Sequence, residues 1–323
     1  MSRNNLETIV GKENASEILE EIQSSIGDLQ QLDQVGGGLV HYVYRVTTDQ
    51  QTAYLKIRGK HYSGIPNIAT LPELISNEKR AIDLFSQKSA NYFPEILLYN
   101  SALHYLLLSD VMPGAITLDN KYVQGLVTTE DLTYLGQALG SIHLNSNTFE
   151  PVRNPDDKKY QNNLLTYALE SYKHPVLIDA ALEHKERKTQ LLVGDLSPKN
   201  TYIENGLVRL CDLENAHQGA LVYDQAFVIA HILLHHDVCE LAIASMWAFI
   251  EGYESVGSEI NMDDDLLRST IHGFLLYRLD NPVIPYELPV SAQRRKQLTS
   301  NVFAGLDEQE KDLEVIVANI FRN

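Results

Sequence analysis

Hydrophobic periodicity changes once along this chain, and that change limits the folds open to it. In the first third, apolar residues alternate in twos at 40–47 (VHYVYRVT) and 52–57 (TAYLKI), with further short apolar runs at 95–98 and 103–108. Alternation of this kind, rich in β-branched and aromatic residues, builds strands. The polar Thr48-Asp49-Gln50-Gln51 between the first two suits a hairpin connection. Helical spacing frames these strands. Residues 5–27 predict one amphipathic helix with Ile9, Ile18, Leu19 and Ile22 inward, and 73–87 a second with Leu74, Ala81, Ile82 and Phe85. Met112-Pro113-Gly114 then breaks the pattern.

Beyond Gly114 the period is helical. Thr128 and Asp131 form a capping-box pattern ahead of a helix to about Asn145, whose buried stripe is Leu132, Leu135, Leu139, Ile142 and His143. Residues 146–158 read as a loop and 160–187 as a helical region. Two short strands at 201–204 and 207–211 flank Asn205-Gly206, a strong hairpin signal, and 224–321 is mainly helical. Sheet with one helix, then a break, then helices around a hairpin is an α+β pattern in two lobes, 1–110 and 111–323, hinged near 109–114. A cleft between lobes is a common place for a ligand.

Composition narrows the function. The chain has 323 residues, with 26 Lys plus Arg against 43 Asp plus Glu and a net charge of −17. Such acidity opposes a broad grip on nucleic acid and leans toward a cationic or polyhydroxylated ligand. Two cysteines, Cys211 and Cys239, make no disulfide framework. The longest apolar stretch, 241–250, falls short of the roughly 20 residues of a membrane span, and residues 1–10 lack an apolar signal core. The expectation is a cytoplasmic protein with no membrane and no nucleic-acid partner.

The chemistry concentrates in 194–200 (GDLSPKN), followed by Cys211-Asp212-Leu213-Glu214. A loop positions Asp195 and Asn200, and the hairpin returns Asp212 toward them. One carboxylate can accept a hydroxyl proton. An amide oxygen and a second carboxylate can hold Mg²⁺, which prefers hard oxygen ligands shared with phosphates. An Asp, an Asn five residues on and a later metal-binding Asp is the kinase division of labour.

GDLSPKN, CDLENAH and Tyr223-Asp224-Gln225-Ala226 together resemble the aminoglycoside phosphotransferase family, whose choline-kinase-like relatives are small-molecule kinases of protein-kinase-like fold. The resemblance spans about 30–280. It implies an α+β bilobal fold and an ATP- and Mg²⁺-dependent transfer to a hydroxyl of a small-molecule acceptor. Asp195 is then the catalytic base, with Asn200, Asp212 and Glu214 as metal-side groups, Glu214 being alternatively a salt-bridged structural acid. Asp224 is implied to open a helix and brace the catalytic loop, and His143 to be structural.

The first lobe adds a lone lysine in an apolar strand, Lys56, suited to clamp phosphates, with Glu78 preferred over Glu73 as its partner. Within the run Gly36-Gly37-Gly38, Gly37 and Gly38 allow close backbone approach to phosphate, and an ordinary tight turn explains them nearly as well. The hinge 106–114 offers Asp110 or Val111 to hold a nucleobase edge through the backbone. The sequence departs from the family at Val193, where a histidine is usual. That departure admits an alternative, a nucleotide-binding pseudokinase or scaffold without turnover, although Lys56, Asp195, Asn200 and Asp212 are all retained. A protein kinase is disfavoured, because Asp224 follows Asp212 too soon for a peptide-binding activation loop. His231, His235, His236 and Cys239 fall at near-helical spacing and are read as helix packing ahead of a metal site.

Overall fold

The structure is a computed structural model describing residues 2–36, 38–146, 168–187, 190–280, 288, 290–308 and 312–322. Its contacts divide the chain into two compact units, Met1–Pro113 and Gly114–Asn323. Gly37, the expected loop from 147 on and the first part of the 160–187 region lie outside the described residues.

The first unit opens with α1 (Ser2–Val10) and α2 (Lys12–Ile26) in place of the single helix expected over 5–27. Gly11 separates them at φ 86, a left-handed value that ends a right-handed helix and that glycine adopts without strain. A five-stranded antiparallel sheet follows in the order β1-β2-β3-β5-β4: β1 Leu29–Val35, β2 Tyr42–Thr48, β3 Thr52–Ile57, β4 Ile96–Asn100 and β5 Tyr105–Ser109. β1 was not predicted, because LQQLDQV carries no apolar alternation. It forms as a largely exposed edge strand whose backbone pairs with β2 from Gln31↔Thr47 to Val35↔Val43. Polar edge residues discourage further pairing.

Period two assigns the sheet's faces. Tyr44, Val46, Ala53, Leu55, Ile57, Tyr105 and Leu107 form one core with Leu6, Ile18, Leu19 and Ile22 of α1 and α2. Lys56 lies between Leu55 and Ile57, so it projects from the opposite face, and it reaches α3 (Ile75–Ser89).

Among its described residues the second unit is helical apart from two short antiparallel ladders. Its helices are α4 (Leu118–Val123), α5 (Thr129–Ser146), α6 (Pro175–Glu186), α7 (Val222–Leu234), α8 (Cys239–Ser255), α9 (Asp265–Asp280), α10 (Ala292–Glu308) and α11 (Leu313–Ile320). The capping box forms as read: Thr128 N–H donates to Asp131 Oδ2 and Asp131 N–H to Thr128 Oγ1, both at 3.1 Å. β6 (Gln190–Leu192) pairs with β9 (His217–Gly219), and β7 (Thr201–Glu204) with β8 (Leu207–Leu210). The Asn205-Gly206 turn takes φ 51 and 76, the two positive values that a tight two-residue hairpin requires. Buried α7 packs on α9 through Tyr223 and Phe227, whose rings lie 5.0 and 4.9 Å from Phe274. Among the described residues no helix is long and apolar enough to cross a membrane.

Helices α5 and α8 cross at glycines. A Cβ on Gly136 would lie 2.1 Å from the Phe249 carbonyl oxygen, and one on Gly252 would lie 2.2 Å from that of Thr133. Backbone cannot yield as a flexible side chain does. Gly252→Ala is therefore expected to force the helices apart and destabilise the protein by about 1–3 kcal/mol, the usual range for overpacking. An unchanged denaturation midpoint would exclude this close crossing.

Candidate active site

In the first unit, Lys56 Nζ lies 2.6 Å from Glu78 Oε1, and the glutamate is only 1 % exposed. β3 supplies the lysine and α3 the glutamate. Glu73, the competing candidate, precedes α3 in the turn Pro72–Leu74, where its carbonyl accepts from Ser76. A buried ion pair is sustained only when its remaining valences are also met. Here the second carboxylate oxygen lies 3.7 Å from His41 Nδ1. His41 Nε2 lies 3.3 Å from Arg58 Nη1, and Arg58 donates through Nη2 to Thr70 Oγ1 at 2.8 Å. Arginine only donates, so His41 Nε2 accepts and Nδ1 carries the proton facing Glu78. His41 and Arg58 escaped the sequence reading. Their only signal was a histidine just after the glycine run and a second cation two residues beyond Lys56.

The glycine turn is itself pinned. Ser63 Oγ reaches the Gly38 and His41 carbonyls at 3.2 and 2.7 Å, and Gly64 N–H donates to Leu39 O at 3.0 Å. Gly37 lies outside the described residues. Asp110 follows β5, and its carboxylate accepts from Met112 N–H at 3.2 Å, which tightens the turn containing Val111.

In the second unit the loop after β6 carries Asp195. Gly194 has φ 87, and a Cβ there would sit 2.1 Å from the Asn215 carbonyl oxygen, so glycine alone fits. The Asp195 carboxylate accepts from Ser197 N–H at 3.2 Å. Asn200 Nδ2 points to the Asp195 carbonyl at 3.4 Å, and Cys211 N–H donates to the Asn200 carbonyl at 3.0 Å. That last bond brings the chain just before Asp212 against Asn200. Asp212 adopts φ 65 and ψ 62, an uncommon left-handed conformation that aspartate tolerates better than most residues, and Glu214 is buried in the short turn after it.

Asp224, in the first turn of α7, holds this loop. Oδ2 accepts from Val193 N–H at 2.8 Å, and Oδ1 from Gly194 N–H at 3.0 Å. Oδ2 also lies 3.2 Å from His143 Nε2. The other ring nitrogen of His143 lies 2.8 Å from the Tyr253 hydroxyl, which Gln225 Nε2 approaches at 3.1 Å. Burial pushes the Tyr253 phenol up to about 12, so it stays a donor.

Val193 is buried, and a histidine enters from the neighbouring strand. His217 pairs across from Leu192, and its Nδ1–H donates to the Asn215 carbonyl at 2.8 Å. Its ring packs edge-on against Tyr223 at 5.0 Å. Nearby, burial pushes His184 down to about 3, with smaller contributions from His217 and Arg187, and His184 Nε2 meets Thr270 Oγ1 at 2.8 Å. Two histidines in and just after α7 are hydrogen-bonded within the helix and its neighbours. His231 Nδ1 meets the Phe227 carbonyl at 2.8 Å while Nε2 accepts from Arg278 at 3.0 Å, and His235 Nδ1 meets the His231 carbonyl at 2.7 Å. Trp247 is partly buried and donates to Glu314 Oε1 at 2.7 Å.

The sequence profile of the phosphotransferase enzyme family matches residues 31–256, and the chain belongs to that family. No curated protein matches the chain in sequence. Among solved structures, it is similar to the amicoumacin kinase hAmiN in complex with AMP-PNP, Ca²⁺ and Ami. That match has 14 % identity and a TM-score of 0.57, and covers 91 % of this chain and 93 % of that one. It is also similar to a microcompartment-associated aminopropanol kinase, at 15 % identity, TM-score 0.55 and coverage of 95 and 99 %. A choline/ethanolamine kinase family protein from Mesorhizobium loti matches at 15 % identity, TM-score 0.54 and coverage of 95 and 99 %. At these identities the likeness is one of fold: the protein has the α+β, protein-kinase-like architecture of small-molecule kinases.

Removing the Asp224 carboxylate is expected to orphan two buried N–H groups. Each unmet buried donor costs about 1–3 kcal/mol. Asp224→Ala should therefore lower the unfolding free energy by several times the cost of a surface substitution, measured by denaturant titration. A wild-type midpoint would mean that the carboxylate does not hold the loop.

Proposed function

We propose that this chain is an ATP- and Mg²⁺-dependent phosphotransferase acting on a hydroxyl group of a small molecule in the cytoplasm. Residues 1–110 serve the nucleotide, and 111–323 supply catalysis and the acceptor site. The observation that carries the reading is the burial pattern of the loop. Leu196, Ser197, Pro198 and Asn200 are buried, and the two charged side chains, Asp195 and Lys199, are the partly exposed ones. A loop braced by Asp224 and turned on an obligatory glycine presents one carboxylate outward, as a base that must meet an exogenous hydroxyl should.

In this reading the acceptor oxygen bonds to the γ-phosphorus as the bond to the bridging oxygen of ADP breaks, and Asp195 takes the hydroxyl proton. Lys56, held by Glu78, neutralises the nucleotide phosphates. Gly37 and Gly38 let the backbone approach them, and the backbone at Asp110 or Val111 meets the base. The donor set fits Mg²⁺. Asn200, Asp212 and Glu214 are hard oxygen ligands, and the Asn200 amide nitrogen turned to Asp195 O leaves its oxygen for another partner. Mg²⁺ there supplies charge for the phosphates and orients them. The family match and the AMP-PNP-bound relative of like fold support the nucleotide assignment.

ADP release measured across a panel of hydroxyl metabolites, including amino alcohols, tests the reaction. Asp195→Asn should cut kcat by about 10²–10⁴ with nucleotide affinity retained. Lys56→Met should weaken nucleotide binding in a folded protein. Nucleotide binding with no turnover of any acceptor would favour the non-catalytic alternative, and full activity in Asp195→Asn would overturn the assigned base.

Metal removal is a separate check. With chelator present, ATP affinity and turnover should both fall, and Asp212→Asn should reproduce the loss when Mg²⁺ is restored. ATP binding that is equally tight with and without chelator would overturn the metal assignment.

A further inference from the structure

We propose that Tyr253, in the last turn of α8, is a positioning residue for the loop that carries Asp195: it gives its hydroxyl proton to His143, which in turn gives Asp224 a third donor. The role deepens the reading of Asp195 as the base and rests on it. The side chain concerned is fully buried in the second unit.

The direction of each hydrogen bond follows from the two ends of the chain of groups. At one end stands the Glu259 carbonyl, which can only accept. The Gln225 side-chain atom 3.2 Å from it is therefore the amide nitrogen, and that nitrogen also lies 3.1 Å from the Tyr253 hydroxyl. Gln225 thus donates to the phenol oxygen. At the other end stands the Asp224 carboxylate, which also only accepts, so His143 Nε2 at 3.2 Å carries a proton. Between them, the Tyr253 hydroxyl and His143 Nδ1 are 2.8 Å apart. A phenol has one proton to give, and burial, the largest influence, pushes its pKa up to about 12, so that proton is retained. Given to Nδ1, it leaves the imidazole neutral with its single proton on Nε2. The rival arrangement hands the phenol proton to Ser258, whose own proton goes to the Gly140 carbonyl at 2.9 Å. Nδ1 must then donate, which makes a cation of a ring only 2 % exposed and adds a second buried charge to the cluster.

His143 so oriented completes the grip on the loop. Asp224 Oδ2 takes Nε2–H together with Val193 N–H, and Oδ1 takes Gly194 N–H. Turning the imidazole over about its Cβ–Cγ bond would put a carbon where Nε2 stands. The phenol proton at Nδ1 opposes that turn from the side away from Asp224. Tyr253 reaches this place because Gly136 and Gly252 let α5 and α8 meet main chain to main chain. Asp224 is held in one orientation, and with it the two residues before Asp195.

The test uses the full-length protein labelled with ¹⁵N. In the wild type, His143 should show a protonated Nε2 and an unprotonated Nδ1 resonance. Tyr253→Phe keeps the ring that packs beside Phe249 and removes the proton. In that variant the Val193 and Gly194 amides should exchange about tenfold faster relative to the slowest amides of α9, the factor that one lost hydrogen bond carries. With an acceptor that is turned over, kcat should fall by a similar factor while nucleotide affinity holds. A protonated Nδ1 in the wild type would overturn the proposed polarity, and unchanged relative exchange at Val193 and Gly194 would overturn the positioning role. The wild-type resonances need no variant, so a Tyr253→Phe protein that fails to fold leaves the proposal open to refutation. Neither resonance nor exchange needs nucleotide or acceptor. Each can therefore fail while Asp195→Asn upholds the base, and each can hold where Asp195→Asn overturns it.

Discussion

The second unit is organised around one carboxylate. Asp224 takes the backbone N–H groups of Val193 and Gly194, the two residues before Asp195, and meets His143. Its own position is set by α7, which is wedged against α9 through Tyr223, Phe227 and Phe274. Aromatic packing in a helical core is thereby converted into a fixed backbone at a loop. This conversion is mechanically sound because buried N–H groups have no water to fall back on. The direction of Asp195 is thus decided some distance away from it.

The first unit solves a similar problem with charge. Lys56, proposed to serve the nucleotide phosphates, sits in an apolar strand and has to remain charged there. Period two turns Lys56 away from the face that packs on α1 and α2, and Glu78 meets it from α3. Desolvating two charges is costly unless the remaining lone pairs and protons are satisfied. Beside the pair, His41 lies 3.7 Å from the second carboxylate oxygen, beyond hydrogen-bond distance, and the second cation, Arg58, meets His41 and Thr70. His41 also brings the segment after the glycine turn beside the helix that holds the glutamate.

Close approach of backbone is the third recurring device. Gly136 and Gly252 let α5 and α8 touch main chain to main chain, which places His143 of α5 and Tyr253 of α8 2.8 Å apart. Gly194 does the same against Asn215 under the proposed catalytic loop. Side chains at these points would displace the groups that Asp224 gathers.

Local patterns were legible in the sequence. Alternation marked β2 and β3, the Thr128–Asp131 pair marked the start of α5, and Asn205-Gly206 marked the β7–β8 turn, because each feature acts over two to four neighbouring residues. The Lys56–Glu78 pair was also foreseeable, because a lone lysine in an apolar strand is conspicuous and the helix that follows offers few carboxylates. β1 was not readable, since its stability comes from backbone pairing with β2 and its side chains are polar. The break at Gly11 was hidden inside a continuous helical period. Only the tertiary structure decided that His217 would stand beside Val193, that Tyr253 would meet His143, and that His41 and Arg58 would back Glu78. Those partners lie far apart in the chain, where no periodicity relates them. A hydrogen bond between distant residues leaves no trace in the spacing of either, and it exists only once the core has folded both into reach.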